Sequence, residues 1–278
     1  MRISAKLAPV FDISELVRFW RAADRMGFHG VYNYDHFYGL GDSPDTWEQP
    51  TLEAWTTLAA MAVHTERARI GCMVSAVTFR NPGLIAKMAT TIDHLSAGRL
   101  DIGLGAGWHE PEHSSLGFGY PPPGTRIAML DEACTIIRGM FTQQPFSFSG
   151  EHFSVTDARC QPTPIQEPHP RLIIGGNGRN KTLRIIAKHA DEWNCIGTEP
   201  ETFAELSRLL DGYCREVGRD PSEITRGAQM FLHPAAPEQI EEQLDRIPAL
   251  ADAGCEHLVL SFYQPPSEEV LERCAPRN

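Results

Sequence analysis

The sequence predicts a single α/β domain, a (β/α)8 (TIM) barrel, from three observations. The chain has 278 residues, a length at which such barrels fold as one unit, so we expect residues 1–278 to form one domain. Strand-like and helix-like segments alternate along the whole chain, and eight of each are found. Strict alternation requires parallel strands joined by right-handed crossovers, and eight such units at this length favour a closed barrel. An open doubly wound sheet remains the structural alternative.

The first half of the chain contains four strand–helix units. Short apolar runs alternate with longer segments in which apolar residues recur every three or four positions, the spacing of one helix face. The predicted strands are 3–8, 30–34, 70–74 and 100–104, and the predicted helices are 12–26, 52–63, 84–95 and 127–141.

An insertion after the fourth helix, at about residues 143–170, interrupts this rhythm. Aromatic and β-branched residues flank a Ser149–Gly150 turn, and a proline-rich run follows, so we expect a hairpin here. The alternation then resumes, with strands 172–174, 193–196, 228–232 and 258–262 and helices 181–189, 202–217, 238–253 and one beginning at Glu268.

Composition limits the classes of partner. The chain is 42% hydrophobic and 22% charged, which is typical of a soluble globular protein, and its net charge of -11 disfavours nucleic acid and anionic membranes. We find no signal-peptide pattern and no apolar stretch long enough to cross a bilayer. The seven cysteines are scattered and include no C-x-x-C pair, which fits a reducing compartment. We therefore expect a cytoplasmic protein whose general partners are neither nucleic acid nor anionic membranes.

In a barrel of this kind the ligand site lies at the carboxyl ends of the strands. Asp35 and His36 follow the second strand, where a carboxylate could accept hydrogen bonds from a cofactor and an imidazole could exchange a proton near neutral pH. The alternative is a pair that only anchors the loop. Ser75, after the third strand, is either a cofactor contact or a turn residue, and Arg80 is interpreted as part of the next helix start.

Two glycine-rich segments follow later strands. In 103–108 glycine occupies alternate positions, which clears one strand face for a flat ring or for another backbone, although the spacing is not that of a dinucleotide-binding fingerprint. In 175–180 the glycines lead directly into a helix, an arrangement suited to binding a phosphate through backbone N–H groups. A tight turn without a ligand remains the alternative for the second segment.

The string His109-Glu110-Pro111-Glu112-His113 matches the H-E-x-x-H pattern of zinc proteases. That chemistry needs both histidines on one face of a regular helix, and Pro111 in the middle argues against such a helix. We therefore expect no metal site.

Together, several segments resemble the bacterial luciferase-like monooxygenase superfamily, and Asp35-His36 resembles the branch that uses the deazaflavin F420 rather than FMN. The segments that carry the resemblance are 81–100, 103–108, 176–178 and 190–194. The resemblance implies hydride transfer between C5 of the deazaflavin and a small organic substrate, and a homodimer. Because a deazaflavin reacts poorly with oxygen, a reductase or dehydrogenase is favoured over a monooxygenase.

The resemblance also implies a role for each site residue. Asp35 and His36 would be the catalytic residues and lie beside the ring, with His36 exchanging the substrate proton. A non-proline cis peptide would occur at or near Cys72–Met73. The other implied cofactor contacts are Cys72, Met73, Ser75, Gly107, Trp108 and, at the phosphate, Gly176, Asn177, Gly178 and Arg179.

Three alternatives stay open: an FMN-dependent monooxygenase, a protein that binds a flavin or deazaflavin without turnover, and a metal-dependent hydrolase. On the substrate side, the late strand ends carry no cluster of lysines and arginines, and residues 261–264 indicate a pocket of low charge, which argues against a sugar phosphate.

Overall fold

The computed structural model describes residues 1–40, 47–232 and 237–276. The strands are β1 (Arg2–Leu7), β2 (Gly30–Asn33), β3 (Arg69–Cys72), β4 (Ser75–Ala76), β5 (Leu100–Gly105), β6 (Phe146–Ser149), β7 (Ser154–Ala158), β8 (Arg171–Gly175), β9 (Glu192–Ile196), β10 (Thr225–Leu232) and β11 (His257–Phe262). The helices are α1 (Ile13–Arg25), α2 (Ala54–His64), α3 (Pro82–Leu95), α4 (Glu110–Leu116), α5 (Pro123–Thr142), α6 (Thr182–His189), α7 (Pro200–Glu216), α8 (Pro237–Leu244), α9 (Ile247–Asp252) and α10 (Glu268–Cys274).

The predicted closed barrel is confirmed. The strands pair in the order β3-β2-β1-β11-β10-β9-β8-β5, and a further β3–β5 pairing closes the ring. Every pairing in this sheet is parallel, as the alternating pattern requires. The short strand β4 continues the third strand after an interruption and pairs with β5. Eight strand positions therefore surround one interior.

The inserted hairpin is also confirmed, with β6 and β7 antiparallel. It packs on α5, where Gly139 leaves room for the ring of Phe146. The Glu132 carboxylate of α5 accepts hydrogen bonds from the backbone N–H groups of Glu151 and Phe153, each at 2.8 Å. The hairpin is thus held against the outer helices by both an aromatic contact and a turn cap.

Two helix predictions were wrong, and proline explains both. Residues 110–116 form the helix α4, because Pro111 lies in its first turn, where the missing N–H would have no partner anyway. The single helix predicted for 238–253 is divided into α8 and α9, since Pro248 begins the second helix and cannot continue the first.

Charged residues close the amino-terminal end of the barrel. The Asp101 carboxylate accepts hydrogen bonds from Arg69 Nε at 2.8 Å, Arg171 Nη2 at 2.7 Å and the Tyr32 hydroxyl at 2.7 Å. The two guanidinium groups hold the pKa of Asp101 well below its usual range against the opposing effect of burial. Above this layer, Tyr32, Ile173 and Val259 form an apolar layer with Met73, so the space available for a ligand lies at the carboxyl ends of the strands.

All seven cysteines are free and buried. Among the described residues, no helix combines the length and the apolar composition needed to cross a bilayer.

Candidate functional site

A cavity of about 690 Å³ opens at the carboxyl ends of the barrel strands. Its size is in the range of sites that bind drug-sized ligands and cofactors. Its wall is mainly apolar, and its polar contributors include Lys6, Asp35, His36, Asn194 and Gln229. The cavity thus lies where the barrel fold predicts the ligand site.

One wall of the cavity is an interruption of the third strand. β3 ends at Cys72, the Met73–Val74 peptide is cis, and β4 resumes at Ser75. The predicted non-proline cis peptide is therefore present, one peptide beyond Cys72–Met73. Both Met73 and Val74 line the cavity.

The alternate glycines of β5 make room for this interruption. A Cβ at Gly103 would overlap the carbonyl oxygen of Cys72, and one at Gly105 would lie 2.7 Å from Val74 Cγ2. A Cβ at Gly175 of β8 would lie 3.1 Å from Cγ1 of the same valine. The alternate glycines of β5 were predicted to make room for a flat ring or for another backbone. Gly103 makes room for the backbone of Cys72. Gly105 lines the cavity, as does Gly175 of β8.

Asp35 is buried in the cavity wall and bound to Arg80 through both carboxylate oxygens, with Nη2–Oδ1 at 3.0 Å. Arg80 also pairs with Glu53, the residue that caps α2. Burial raises the pKa of Asp35, and the Arg80 guanidinium opposes that rise. The sequence interpretation of Arg80 as a helix-start residue was incomplete, because Arg80 is the charge partner of a predicted site residue.

His36 is held by a carboxylate that the sequence analysis did not select as a site residue. Its Nδ1 lies 2.7 Å from Glu112 Oε2, and the other Glu112 oxygen accepts hydrogen bonds from the backbone N–H groups of Phe37 and Tyr38. Burial would raise the pKa of Glu112, but these hydrogen bonds lower it overall. Glu112 is therefore ionised and fixes both the loop after β2 and the imidazole, which is 13% exposed and lines the cavity.

The two histidines of the H-E-x-x-H string face different partners. His113 contacts Thr78 Oγ1 at 2.7 Å and the carbonyl oxygen of His109 at 2.8 Å, inside the protein. His109 lines the cavity, and its Nδ1 lies 3.2 Å from Glu112 Oε2, within ion-pair distance but without the geometry of a hydrogen bond. The helix that the sequence analysis rejected does form, but these contacts turn His113 away from the cavity.

A different group, His36, His109 and Glu112, brings its ligand atoms within 4.8 Å of one another. Ligand atoms around a tetrahedral zinc ion lie about 3.4 Å apart, given zinc–ligand bonds of about 2.1 Å. The 2.7 Å between His36 Nδ1 and Glu112 Oε2 is instead a hydrogen-bond distance. Glu112 Oε2 thus contacts both imidazoles, at 2.7 Å from His36 Nδ1 and 3.2 Å from His109 Nδ1.

The predicted phosphate segment lies at the rim, between β8 and α6. The Asn177 amide exchanges hydrogen bonds with the backbone of Ile196, at 2.6 and 3.0 Å, and so ties this loop to the end of β9. Gly178 is packed against Thr182, because a Cβ at Gly178 would lie only 2.5 Å from Thr182 Oγ1. Arg179 pairs with Glu205 on the surface. The side chains of Asn177 and Arg179 are thus occupied, and phosphate binding at Gly176 and Gly178 by backbone N–H groups stays a prediction.

Of four further predicted residues, two lie behind the cavity wall and two line the cavity. Cys72 and Ser75 are buried, and neither is among the residues that line the cavity; Ser75 Oγ accepts a hydrogen bond from Trp55 Nε1 at 2.8 Å. Both side chains lie behind the cavity wall, and their contact with a cofactor stays a prediction. Trp108 and Gly107 line the cavity, and Trp108 is 62% exposed with its ring centroid 5.7 Å from that of His36.

Sequence comparison places the chain in one family. The profile described as luciferase-like monooxygenase matches residues 2–272. The chain is 31% identical over 212 residues to an uncharacterized protein of Mycobacterium bovis, covering 72% of this chain and 73% of that protein. It is 29% identical over 217 residues to the pyrimidine monooxygenase RutA of Stutzerimonas stutzeri, covering 76% of this chain and 58% of RutA. The chain therefore spans somewhat under three fifths of that relative.

Structural comparison extends the similarity to nearly the whole fold. An F420-dependent secondary alcohol dehydrogenase in complex with an F420–acetone adduct superposes with a TM-score of 0.85 and covers 99% of each chain. The two sequences are 18% identical, so the likeness is one of fold.

Proposed function

Since the chain belongs to the luciferase-like monooxygenase family, a family of oxidoreductases and monooxygenases, we propose that it is an enzyme that binds coenzyme F420 and catalyses hydride transfer to or from a small organic substrate. The observation that carries the proposal is the His36–Glu112 pair in the wall of the cavity. A carboxylate-held imidazole beside a cofactor cavity is the arrangement expected of a residue that exchanges a substrate proton.

The cavity suits a flat ring with polar edges. Gly105, Gly107 and Gly175 keep one side free of long side chains, next to the small wall residue Val74. At the polar end, the amide Nδ2 of Asn194 is buried and lacks a partner among the described residues, as expected of a donor meant for a ligand.

Within this proposal the protein positions the reactants and moves a proton. The bound deazaflavin supplies the hydride acceptor or donor. Glu112 accepts the Nδ1 hydrogen of His36, so the second ring nitrogen is the atom that holds or releases the substrate proton. Asp35, neutralised by Arg80, keeps the loop after β2 in place rather than exchanging protons, and the N–H groups near Gly178 bind the phosphate.

A second candidate is an FMN-dependent monooxygenase, because the chain resembles the pyrimidine monooxygenase RutA in sequence. The requirement for oxygen during turnover distinguishes the two candidates. We expect the protein to change the F420 absorbance with a substrate under strictly anaerobic conditions. Turnover that requires oxygen, reduced FMN and a separate flavin reductase would instead establish the second candidate.

His36→Asn tests the proton-transfer role. We expect F420 affinity within about threefold of the wild type and turnover reduced by about 10²–10⁴. His64→Asn is the control, because His64 contacts Arg21 on the outer surface, and it should leave turnover unchanged. Tight F420 binding without any hydride exchange, across a broad panel of alcohols, aldehydes, ketones and acids, would favour the non-catalytic binding protein.

A further inference from the structure

Lys6 places a buried ammonium group in the cavity. It lies in β1 opposite Ser261 of β11, and only 5% of the residue is exposed. Its Nζ donates hydrogen bonds to the Met73 carbonyl oxygen and to Gln229 Oε1, each at 3.1 Å. An ammonium group has three donors, so two protein acceptors leave one N–H for a ligand.

The positive charge of Lys6 has no carboxylate partner. Among the described residues, no Asp or Glu oxygen lies within ion-pair distance of Nζ, and the nearest rings are those of Tyr34 and Phe231, with centroids at 5.8 and 5.9 Å. Burial lowers the pKa of Lys6 to about 8, so the group remains mostly protonated at neutral pH. A buried charge is costly unless it is paired, and an anionic ligand would provide the missing partner.

A second donor without a partner lies in the same cavity. Asn194 is 2% exposed, lines the cavity, and its Nδ2 makes no hydrogen bond to any described residue. Gln229 accepts from Lys6 with its oxygen, which leaves its amide nitrogen as another donor. The one carboxylate that lines the cavity in the described chain, Asp35, is neutralised by Arg80. The cavity therefore offers a positive charge and amide donors, although the protein carries a net charge of -11.

We propose that Lys6, assisted by Asn194, binds an anionic oxygen in this cavity. Two sources can present one: the carboxylate of an organic acid substrate, or the polar edge of a reduced, negatively charged deazaflavin. The roles in catalysis rest on the proposed function, whereas binding of a carboxylate by Lys6 does not require the cofactor. Lys6 is thus a group that selects anionic ligands.

The substrate source is tested by binding of benzoate and its uncharged analogue benzamide to the cofactor-free protein at pH 7, measured by calorimetry. We expect the wild type to bind benzoate at least tenfold more tightly than benzamide. Lys6→Met should abolish the preference, and Asn194→Asp should weaken the binding of benzoate more than the binding of benzamide. Lys87→Met is the control, because Lys87 contacts the Gln161 carbonyl oxygen on the surface, and it should keep the preference.

The cofactor source is tested by the affinities for oxidised and reduced F420. If the reduced ring is the partner, Lys6→Met loses at least tenfold in affinity for reduced F420 and little for the oxidised form, and the wild type shows no benzoate preference. Equal binding of benzoate and benzamide by the wild type, with no selective loss for reduced F420 in the variant, would overturn the proposal. The comparison of benzoate with benzamide in the wild type remains a valid test even if Lys6→Met fails to fold. If the protein prefers benzoate but does not bind F420, the F420 assignment is refuted and the anion site at Lys6 is not.

Discussion

Replacing Lys6 with methionine should raise the free energy of unfolding at neutral pH, because the variant no longer buries an unpaired charge. Burial lowers the pKa of Lys6 from 10.5 to about 8. At about 1.36 kcal/mol per pKa unit, this difference corresponds to about 3 kcal/mol of lost stability below pH 8. The two acceptors on Met73 and Gln229 lose their donor, at about 1 kcal/mol each, so we expect a net gain of about 1–2 kcal/mol.

The pH dependence identifies the charge as the cause. Between about pH 8 and 10.5 the unfolded chain binds more protons at Lys6 than the folded protein, so wild-type stability rises with pH in this range relative to the variant. Cys72 and Tyr34, the titratable groups close to Lys6, stay neutral there because burial raises the pKa of both. The advantage of the variant should therefore shrink steadily and disappear by about pH 10.

Urea unfolding of the cofactor-free proteins between pH 6.5 and 10, followed by tryptophan fluorescence, measures this difference. Lys87→Met, which removes an equal charge from the surface, should change stability by less than about 0.5 kcal/mol at every pH. A Lys6→Met protein that is less stable than the wild type by the same amount at all pH values would refute the reasoning, since Lys6 would then act only through its two hydrogen bonds.

Further predictions concern the groups around His36 and the wall of the cavity. Glu112→Gln should lower turnover at least tenfold while F420 affinity changes little, because a neutral amide holds the imidazole less firmly; equal turnover would remove the pair from the mechanism. Arg80→Met should destabilise the protein by about 3–5 kcal/mol by leaving a buried carboxylate unpaired, and adding Asp35→Asn should recover much of that loss, as thermal unfolding would show. Gly105→Ala should weaken F420 binding and lower stability by about 1–3 kcal/mol, because the new methyl group overlaps a wall side chain. An unchanged F420 affinity in a fluorescence titration would contradict this prediction. Prolonged EDTA treatment should leave turnover unchanged, and activity restored only by added zinc would revive the metal-dependent hydrolase.

Eight alternating strand–helix units in a chain of this length were sufficient to predict the barrel, because each unit buries one apolar strand and one apolar helix face. Strand ends then located the site, since parallel strands bring their carboxyl ends to one face of the barrel. Asp35, His36, Gly107 and Trp108 line the cavity, and their contacts with a cofactor stay predictions. Pro111 was misinterpreted because its effect on a helix depends on whether it lies in the first turn or the interior.

The partners of the site residues could not be predicted, because they are distant in the sequence. Arg80 is 45 residues from Asp35, and Glu112 is 76 residues from His36. Each pairing follows from packing that brings a loop after one strand against a helix or loop after another. Lys6 offered one local signal, a lysine near the carboxyl end of a predicted barrel strand, but its lack of a carboxylate partner is a tertiary property.

The most direct test of the proposed cofactor is a pair of titrations of the purified cofactor-free protein, one with F420 and one with FMN, followed by tryptophan fluorescence at physiological salt. We predict micromolar or tighter binding of F420 and FMN binding at least tenfold weaker. Preferential binding of FMN would contradict the F420 assignment and support a flavin monooxygenase, and binding of neither would contradict the oxidoreductase proposal itself.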